Sequence, residues 1–157
     1  MCAIPATLTL ALALGCTDGN LQDRYAAAVD SYLAGPAVRS EAPYYEPARA
    51  LGAPDGKTVA LAEGSVLVVR FFREIPDAPG SDLRLFEVGA DSSTVRVSVS
   101  ANGTDFVPLT TPGLSGGATE LDLEGTGLPG VSFVRLEGQD NFGTDPGFDL
   151  DAVEALH

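Results

Sequence analysis

The sequence predicts an all-β protein, an antiparallel β-sandwich or jelly roll. Short apolar segments of strand length recur between residues 65 and 156, and the segment with Val95, Val97 and Val99 alternates apolar with polar residues. The chain has 18 glycines and 11 prolines, and turns rich in these residues separate the segments. No internal repeat or second domain is visible, so the 157 residues correspond to one domain behind a short leader.

The strands follow from the composition of each segment. Residues 65–72 form a nearly continuous apolar run, which is typical of a buried strand. Asn102-Gly103 follows the alternating strand, and we expect a tight hairpin turn there because both residues tolerate positive φ. The predicted strands are residues 65–72, 83–88, 95–100, 106–110, 119–123, 132–137 and 151–156.

The segment before these strands allows two interpretations. Leu21, Tyr25 and Val29 have the spacing of a helical stripe, whereas residues 28–32 also fit an opening strand that ends at Gly35-Pro36. Residues 36–57 contain four prolines and are predicted to be a loop that closes on a turn at residues 54–56.

The first sixteen residues, MCAIPATLTLALALGC, are uncharged and apolar, and they are too short to cross a bilayer, which takes about 20 residues. They predict an export signal. Its end, LALGC, resembles the lipobox of bacterial lipoproteins, with Ala13 in place of the usual leucine and Cys16 as the lipid-bearing residue. We therefore expect a signal peptide at 1–15, a lipidated Cys16 with a tether to residue 27, and a jelly-roll domain at 28–157. An ordinary signal peptide that is cut elsewhere is the alternative.

Charge and cysteine content exclude several classes of function. The net charge of −13 argues against nucleic acid as a partner and against docking on anionic lipid, so membrane contact is expected only through the lipid anchor. Thr17 follows Cys16 where an aspartate would favour retention at the inner membrane, so we expect an outer-membrane or cell-surface location. Cys2 and Cys16 both lie in the leader, which leaves no disulfide, cysteine metal site or cysteine nucleophile in residues 17–157.

Four acidic residues are the candidate metal ligands. Asp149 and Asp151 are two residues apart on a predicted strand and would share one face with Val153. Asp82 opens another strand, and Glu87 lies inside an apolar one. Carboxylates beside an apolar row need a positive partner, and Ca²⁺ takes oxygen ligands of this kind. The sequence therefore predicts a structural calcium ion held by Asp82, Glu87, Asp149 and Asp151.

The same acids have an alternative interpretation, in which they cap turns and pair with arginines such as Arg70 or Arg135. Asp140, Asn141 and Asp145 lie in a loop that is predicted to line a ligand pocket at one end of the sandwich. This loop does not match an EF-hand, because Asp145 replaces the sixth-position glycine.

No catalytic constellation is visible. Residues 113–117, GLSGG, match the nucleophile-elbow pattern, but that chemistry needs a histidine base and a following helix. The only histidine is the final residue, His157. A pair of acids can also hydrolyse glycosides, yet such enzymes generally use a deep aromatic cleft, and this chain has no tryptophan. We expect a protein that is not an enzyme.

Several segments together resemble a family of bacterial cell-surface domains with a galactose-binding-like (discoidin-like) jelly roll. They occur in the family's order and span residues 28–156. The matching segments are ALGAPDG (50–56), SVLVVRF (65–71), GSDLRLFEVG (80–89), VSVSANGTDF (97–106) and GFDLDAV (147–153). The resemblance implies a first strand at residues 29–32, a domain that is commonly non-catalytic, and a calcium ion near the junction of the first and last strands.

These observations predict an exported, lipid-anchored binding module with a structural calcium ion and with carbohydrate or another envelope component as its ligand. The alternative is a structural or assembly domain of a larger cell-envelope complex that binds no soluble ligand.

Overall fold

The protein is an antiparallel β-sandwich, as the sequence predicts. The structure, a computed structural model, describes residues 21–40, 45–89, 93–109, 117–143 and 146–157. The strands in these ranges are β1 (Ala28–Leu33), β2 (Val59–Leu61), β3 (Val66–Pro76), β4 (Leu83–Glu87), β5 (Val95–Ser100), β6 (Val107–Pro108), β7 (Gly117–Leu121), β8 (Gly130–Gly138) and β9 (Phe148–Ala155). They form a five-stranded sheet in the order β1-β3-β8-β5-β6 and a four-stranded sheet in the order β2-β9-β4-β7.

The core lies between the two sheets and is built from alternating residues of each strand. The five-stranded sheet contributes β-branched and large apolar side chains that are almost wholly buried: Leu67, Val69, Ile75, Val97, Val99, Val134 and Leu136. The four-stranded sheet faces them with Val59, Leu61, Leu83, Leu85, Phe148, Leu150 and Val153. Both inner faces are apolar, which explains why the sequence shows so many short apolar segments.

The structure resolves the ambiguous segment in favour of a strand. Ala28–Leu33 is β1, and within the described residues the short 3₁₀ turn Leu21–Arg24 precedes it. The predicted strand at 95–100 has the observed bounds of β5. Of the predicted strand at 106–110, β6 covers Val107–Pro108 within the described residues 106–109, and residue 110 lies outside them. The sequence prediction missed β2, which has three residues and directly follows the loop. The loop itself contains a second 3₁₀ turn, Pro47–Ala50.

The tight two-residue turn predicted at Asn102-Gly103 is wrong. The hairpin between β5 and β6 pairs Val99 with Val107, so a longer loop connects the strands. Gly103 has φ of 76°, while no residue other than glycine has positive φ among the described residues. Asn102 instead accepts hydrogen bonds through its Oδ1 from the backbone N–H groups of Thr104 and Asp105. Asn102 therefore stabilises the loop through its side chain and not through a left-handed backbone conformation.

A β-bulge in β9 changes which residues share a face. Phe86 of β4 pairs with Ala152, but the next residue, Glu87, pairs with Leu150, so Asp151 is an extra residue without a partner in the ladder. The alternation of side chains is therefore reversed across Asp151. The expectation that Asp149, Asp151 and Val153 share one face is wrong, because Val153 packs in the core and the extra residue separates it from Asp149.

The segment just before β1 joins the two sheets. Ala26 donates a backbone hydrogen bond to Val153 of the four-stranded sheet, and Ala27 donates one to Arg70 of the five-stranded sheet. Ala26 is 1% exposed and belongs to the core. The chain thus crosses from one sheet to the other and closes one side of the sandwich. No helix in the described part of the chain is long and apolar enough to span a membrane.

Candidate functional site

Three aspartates meet at one end of the sandwich. Asp77 directly follows β3, Asp82 directly precedes β4, and Asp122 directly follows β7. One carboxylate oxygen from each lies within 4.8 Å of those of the other two. We call these three residues the acidic cluster. It arises because the end of β3, the start of β4 and the end of β7 all lie at this end of the sandwich.

Asp82 is the fixed member of the cluster. It is fully buried, and its two carboxylate oxygens accept backbone hydrogen bonds from Ala78 and Leu123, each at 2.9 Å. These bonds stabilise the negative charge and hold together the loops that follow β3 and β7. Asp77 and Asp122 are exposed, so their carboxylates remain accessible to a ligand.

The cluster fits the requirements of a calcium ion. Two ligands on one ion at about 2.4 Å can be at most about 4.8 Å apart, and the three oxygens lie within that limit of one another. Calcium takes 6–8 oxygen ligands, and water can complete the shell around the two exposed aspartates. The donor set consists of oxygens alone, as this hard cation prefers.

Two adjoining clefts open beside the cluster and share Asp122 and Glu124. One has a volume of about 400 Å³ and is lined by Ser81, Pro108, Leu109, Glu120, Leu121, Asp122, Glu124, Gly125 and Thr126. The other, of about 440 Å³, is lined by Asp77, Ala78, Pro79, Gly80, Asp122 and Glu124. Four acids and no base line these clefts, so this end of the molecule attracts cations.

The structure does not bring the four predicted metal ligands together. Asp82 and Glu87 lie at opposite ends of β4, and five residues of strand span about 16 Å. A calcium ion bound by Asp82 is therefore beyond the reach of Glu87, which pairs with Leu150 near the other end of β9. Asp149 precedes that pair on β9 and is also remote from Asp82.

Asp151 holds a turn. Its Oδ1 and Oδ2 accept hydrogen bonds from the backbone N–H groups of Asp55 and Gly56, each at 3.0 Å. The side chain is placed for this by the β9 bulge and is 4% exposed. In the same turn a hydrogen bond from Lys57 lowers the pKa of Asp55. Asp151 thus satisfies the turn-capping alternative that the sequence left open.

The loop that was predicted to bind a ligand, with Asp140 and Asn141, is held to the rest of the domain by hydrogen bonds. Asp140 accepts hydrogen bonds through Oδ2 from the backbone N–H and hydroxyl of Thr94, at 2.6 and 2.8 Å. Asn141 accepts one from the backbone of Glu63 and donates one to its side chain. Asp145, like the predicted lipidation site Cys16, lies outside the described residues. None of the clefts described above is lined by Asp140 or Asn141.

The sequence named Arg70 or Arg135 as alternative partners of the acids, and Arg135 has other contacts. Arg135 pairs through Nε with Glu137 at 3.1 Å, and its guanidinium lies 4.5 Å from the centre of the Phe106 ring. Glu137 is in β8 of the five-stranded sheet and Phe106 directly precedes β6 of that sheet, whereas Glu87 is in the four-stranded sheet.

Sequence reasoning missed a row of charges across the outer face of the four-stranded sheet. Glu154 of β9 is 5% exposed and lies between Arg24 and Arg84, at 3.1 and 3.2 Å. Arg84 also hydrogen-bonds Glu120 of β7, and this bond lowers the pKa of Glu120 and raises that of Arg84. The pairings of β4 with β7 and β9 bring these residues together, a register that the sequence does not display.

No protein-family model matches the chain, and no curated protein sequence matches it either. Its fold is similar to solved carbohydrate-binding modules. Chitosan-binding module 1 of a chitosanase/glucanase from Paenibacillus sp. IK-5 has a TM-score of 0.59 and 21% identity, over 88% of this chain and 98% of the module. The CBM32 of AlyQ, solved with 4,5-unsaturated mannuronic acid, has a TM-score of 0.51 and 10% identity, over 84% and 98%. A pectin-binding module has a TM-score of 0.51 and 14% identity, over 83% and 92%.

Proposed function

We propose that this protein is a non-enzymatic binding module for carbohydrate at the cell envelope. The observation that supports it is the extent of the similarity in fold. The sandwich corresponds to 92–98% of the length of three separate carbohydrate-binding modules, so the described fold is of the size and kind that binds glycans in those proteins. Fold alone does not assign function, and a direct binding measurement must test the proposal.

A glycan array probed with residues 17–157 tests this function. We expect binding to a restricted set of glycans that is lost when the protein is unfolded. A blank array contradicts the proposal and favours the structural or assembly role that the sequence left as the alternative. Hydrolysis of any bound glycan that disappears in Asp122→Asn would contradict the non-enzymatic assignment.

We also propose that the acidic cluster binds a structural calcium ion. The residues that would hold it are Asp77, Asp82 and Asp122, of which the sequence predicted only Asp82. Their spacing and their oxygen donors support the assignment. A bound ion would tie the loop after β3 to the loop after β7 and would offset the repulsion among three carboxylates.

Thermal melts in EDTA and in about 1 mM calcium test the metal. A calcium concentration about 100-fold above the dissociation constant contributes about 2.7 kcal/mol, a shift on the order of 5–10 °C. Asp122→Asn should remove the shift, and Asp30→Asn, an exposed aspartate in β1, is the matched control. A calcium shift that survives in Asp122→Asn would exclude the acidic cluster as its site.

Export and lipid anchoring through Cys16 complete the proposal. The apolar leader and the lipobox-like LALGC support them. Mass spectrometry of the N-terminal peptide from a membrane fraction should find acylated Cys16. A secreted form that begins at another residue would contradict lipidation and leave the binding proposal intact.

A further inference from the structure

The outer face of the five-stranded sheet carries a patch of arginine and phenylalanine side chains. In the cross-strand register, Arg70 of β3 pairs with Phe133 of β8, and Val68 pairs with Arg135. On the other side of β8, Phe133 pairs with Ser100 and Arg135 with Ser98 of β5. We call this patch the outer-face platform, defined by Val68, Arg70, Ser98, Phe106, Phe133 and Arg135.

Arg135 is held in place at the centre of the platform. Its guanidinium lies over the Phe106 ring at 4.5 Å from the ring centre. Its Nε donates to Ser98 Oγ at 3.0 Å and pairs with Glu137 Oε1 at 3.1 Å. Both of these contacts use Nε, and the side chain is 33% exposed, so a ligand that approaches from solvent can reach the terminal nitrogens. A stacked guanidinium loses little further entropy when it binds a carboxylate.

Arg70 is the second cation of the platform. It is exposed and makes no ion pair or side-chain hydrogen bond within the described parts of the chain. Arg70 and Arg135 are diagonal neighbours on β3 and β8, with Cβ atoms about 7–8 Å apart. Phe133 lies directly opposite Arg70 and is half-buried, with its ring packed against Gly103.

The sign of the charge on this face is opposite to that of the molecule. The chain has 22 acids and 9 bases, yet Arg70, Arg96 and Arg135 all project from this one face. Glu137 is shared between Arg96 and Arg135, at 3.5 and 3.1 Å, and Asp30 of the neighbouring strand β1 is exposed, so the three arginines outnumber the carboxylates beside them. A local excess of positive charge on an acidic protein favours an anionic ligand at this place and not at the acid-lined clefts.

We propose that the outer-face platform binds the carboxylate of uronic acid units in a glycan. This inference rests on the proposed function and specifies its ligand class. The planar guanidinium of Arg135 presents two parallel N–H donors that match a carboxylate. Arg70 supplies a second charge on the diagonal of the same strand pair, and Phe133, next to both arginines, offers an apolar surface to the C–H groups of the ring. A neutral glycan would leave both cations unused, and a cationic glycan would be repelled.

The net charge of −13 favours a short anionic ligand over a long one. Exposed charges are screened beyond about 8 Å at physiological salt, so the acidic end of the sandwich acts weakly on a short glycan at the platform. A long polyanion would also contact acidic surface. Short oligomers are therefore the appropriate probes, and their affinity should fall as salt rises.

Calorimetric titration with three matched trimers tests the inference. The probes are a trimer of galacturonic acid, the neutral galactose trimer and the cationic glucosamine trimer. We expect the galacturonic acid trimer to bind, and Arg70→Gln to weaken this binding about tenfold. Arg135→Lys keeps the charge but removes the paired donors, and should also weaken it. Arg73→Gln is the matched control, because Arg73 is on the same strand and pairs with Asp23, away from the platform.

The outcomes separate this inference from the function on which it rests. Loss of affinity in Arg70→Gln with full affinity in Arg73→Gln supports the platform. Equal binding of the neutral trimer, or unchanged uronate affinity in Arg70→Gln, overturns the platform but leaves a carbohydrate-binding protein. Failure of all three trimers while the glycan array shows another ligand also overturns the platform alone. A blank array removes the proposed function as well.

Discussion

Asp82 and Asp151 are both buried carboxylates whose two oxygens accept backbone N–H groups. They differ in what surrounds them. Asp82 lies beside the exposed carboxylates of Asp77 and Asp122, and a cation would relieve the repulsion. The charge of Asp151 is already stabilised by the turn that it holds. The two residues should therefore respond differently to the same substitution.

Asp151→Asn should destabilise the protein by about 2 kcal/mol, in EDTA and in calcium alike. An asparagine can accept only one of the two turn hydrogen bonds, and its NH₂ group would face the other N–H donor. Urea denaturation at neutral pH measures the loss, with Asp30→Asn as the control. A loss that appears only in calcium would instead make Asp151 a metal ligand, as the sequence predicted.

The sequence could identify Asp82 as a candidate but not its neighbours. Asp82 stands out because it opens an apolar strand. Asp77 and Asp122 lie in ordinary polar turns, 45 residues apart in the chain, and only the alignment of three strand ends brings them together. Asp149 and Asp151 are two residues apart, which in a regular strand places both side chains on one face. The bulge at Asp151 interrupts this alternation. A bulge and a cross-strand register are both defined by the pairing of two strands, so the sequence of a single strand does not reveal them.

At the level of elements, a close backbone approach fixes the end of β8 against the segment between β2 and β3. A Cβ atom at Gly138, the last residue of β8, would lie 2.1 Å from the carbonyl oxygen of Ala62. The backbone of Gly138 is held there by hydrogen bonds with Gly64 and Ser65. The backbone therefore cannot move away without loss of these bonds.

Gly138→Ala should destabilise the protein by roughly 3 kcal/mol, because the new methyl group meets fixed backbone. Gly130→Ala, at the other end of β8, is the matched control. The three atoms nearest to its Cβ would all belong to the side chain of Glu74, which is flexible and can move aside. Chemical denaturation of both variants measures the difference. Equal stability of the two would show that the backbone at Gly138 and Ala62 can shift at little cost.

The charged row on the four-stranded sheet predicts a dependence on pH. Arg84 lowers the pKa of Glu120 in the folded state, so this pair stabilises the protein above the ordinary pKa of a glutamate. The stabilisation is lost as pH falls through the lowered pKa, because protonated Glu120 no longer pairs. Stability should decrease on acidification below about pH 4, and Glu120→Gln should reduce that decrease. Urea denaturation at neutral pH and near pH 3 tests this; identical acid slopes would contradict it.

The elements that the sequence predicted well are those with strong local signals. The alternation of Val95, Val97 and Val99 predicted β5 with its observed bounds, and the apolar run after Ser65 predicted β3. The short strand β2 has only three residues, all buried, and its pairing with β9 defines it. The Asn102-Gly103 signal marked a hairpin correctly but not its loop length, because Asn102 bonds to the loop backbone.

For the molecule as a whole, the segment of residues 24–27 connects the two sheets through the backbone hydrogen bonds of Ala26 and Ala27. The backbone of Ala26 also accepts a hydrogen bond from Gly52, which ties the long loop to the same point. Arg24 pairs with buried Glu154 at 3.1 Å. The sequence suggested a tether that extends to residue 27. These contacts give that segment a structural role.

A chain of residues 28–157 should therefore be less stable than one of residues 21–157. The shorter chain loses three backbone hydrogen bonds, the ion pair that neutralises Glu154, and the buried methyl group of Ala26. At about 1 kcal/mol for each hydrogen bond, the free energy of unfolding should fall by about 3–5 kcal/mol. Urea midpoints of the two chains measure it, and Arg24→Gln in the longer chain isolates the share of the ion pair. Equal midpoints would support a domain that starts at residue 28, as the sequence predicts.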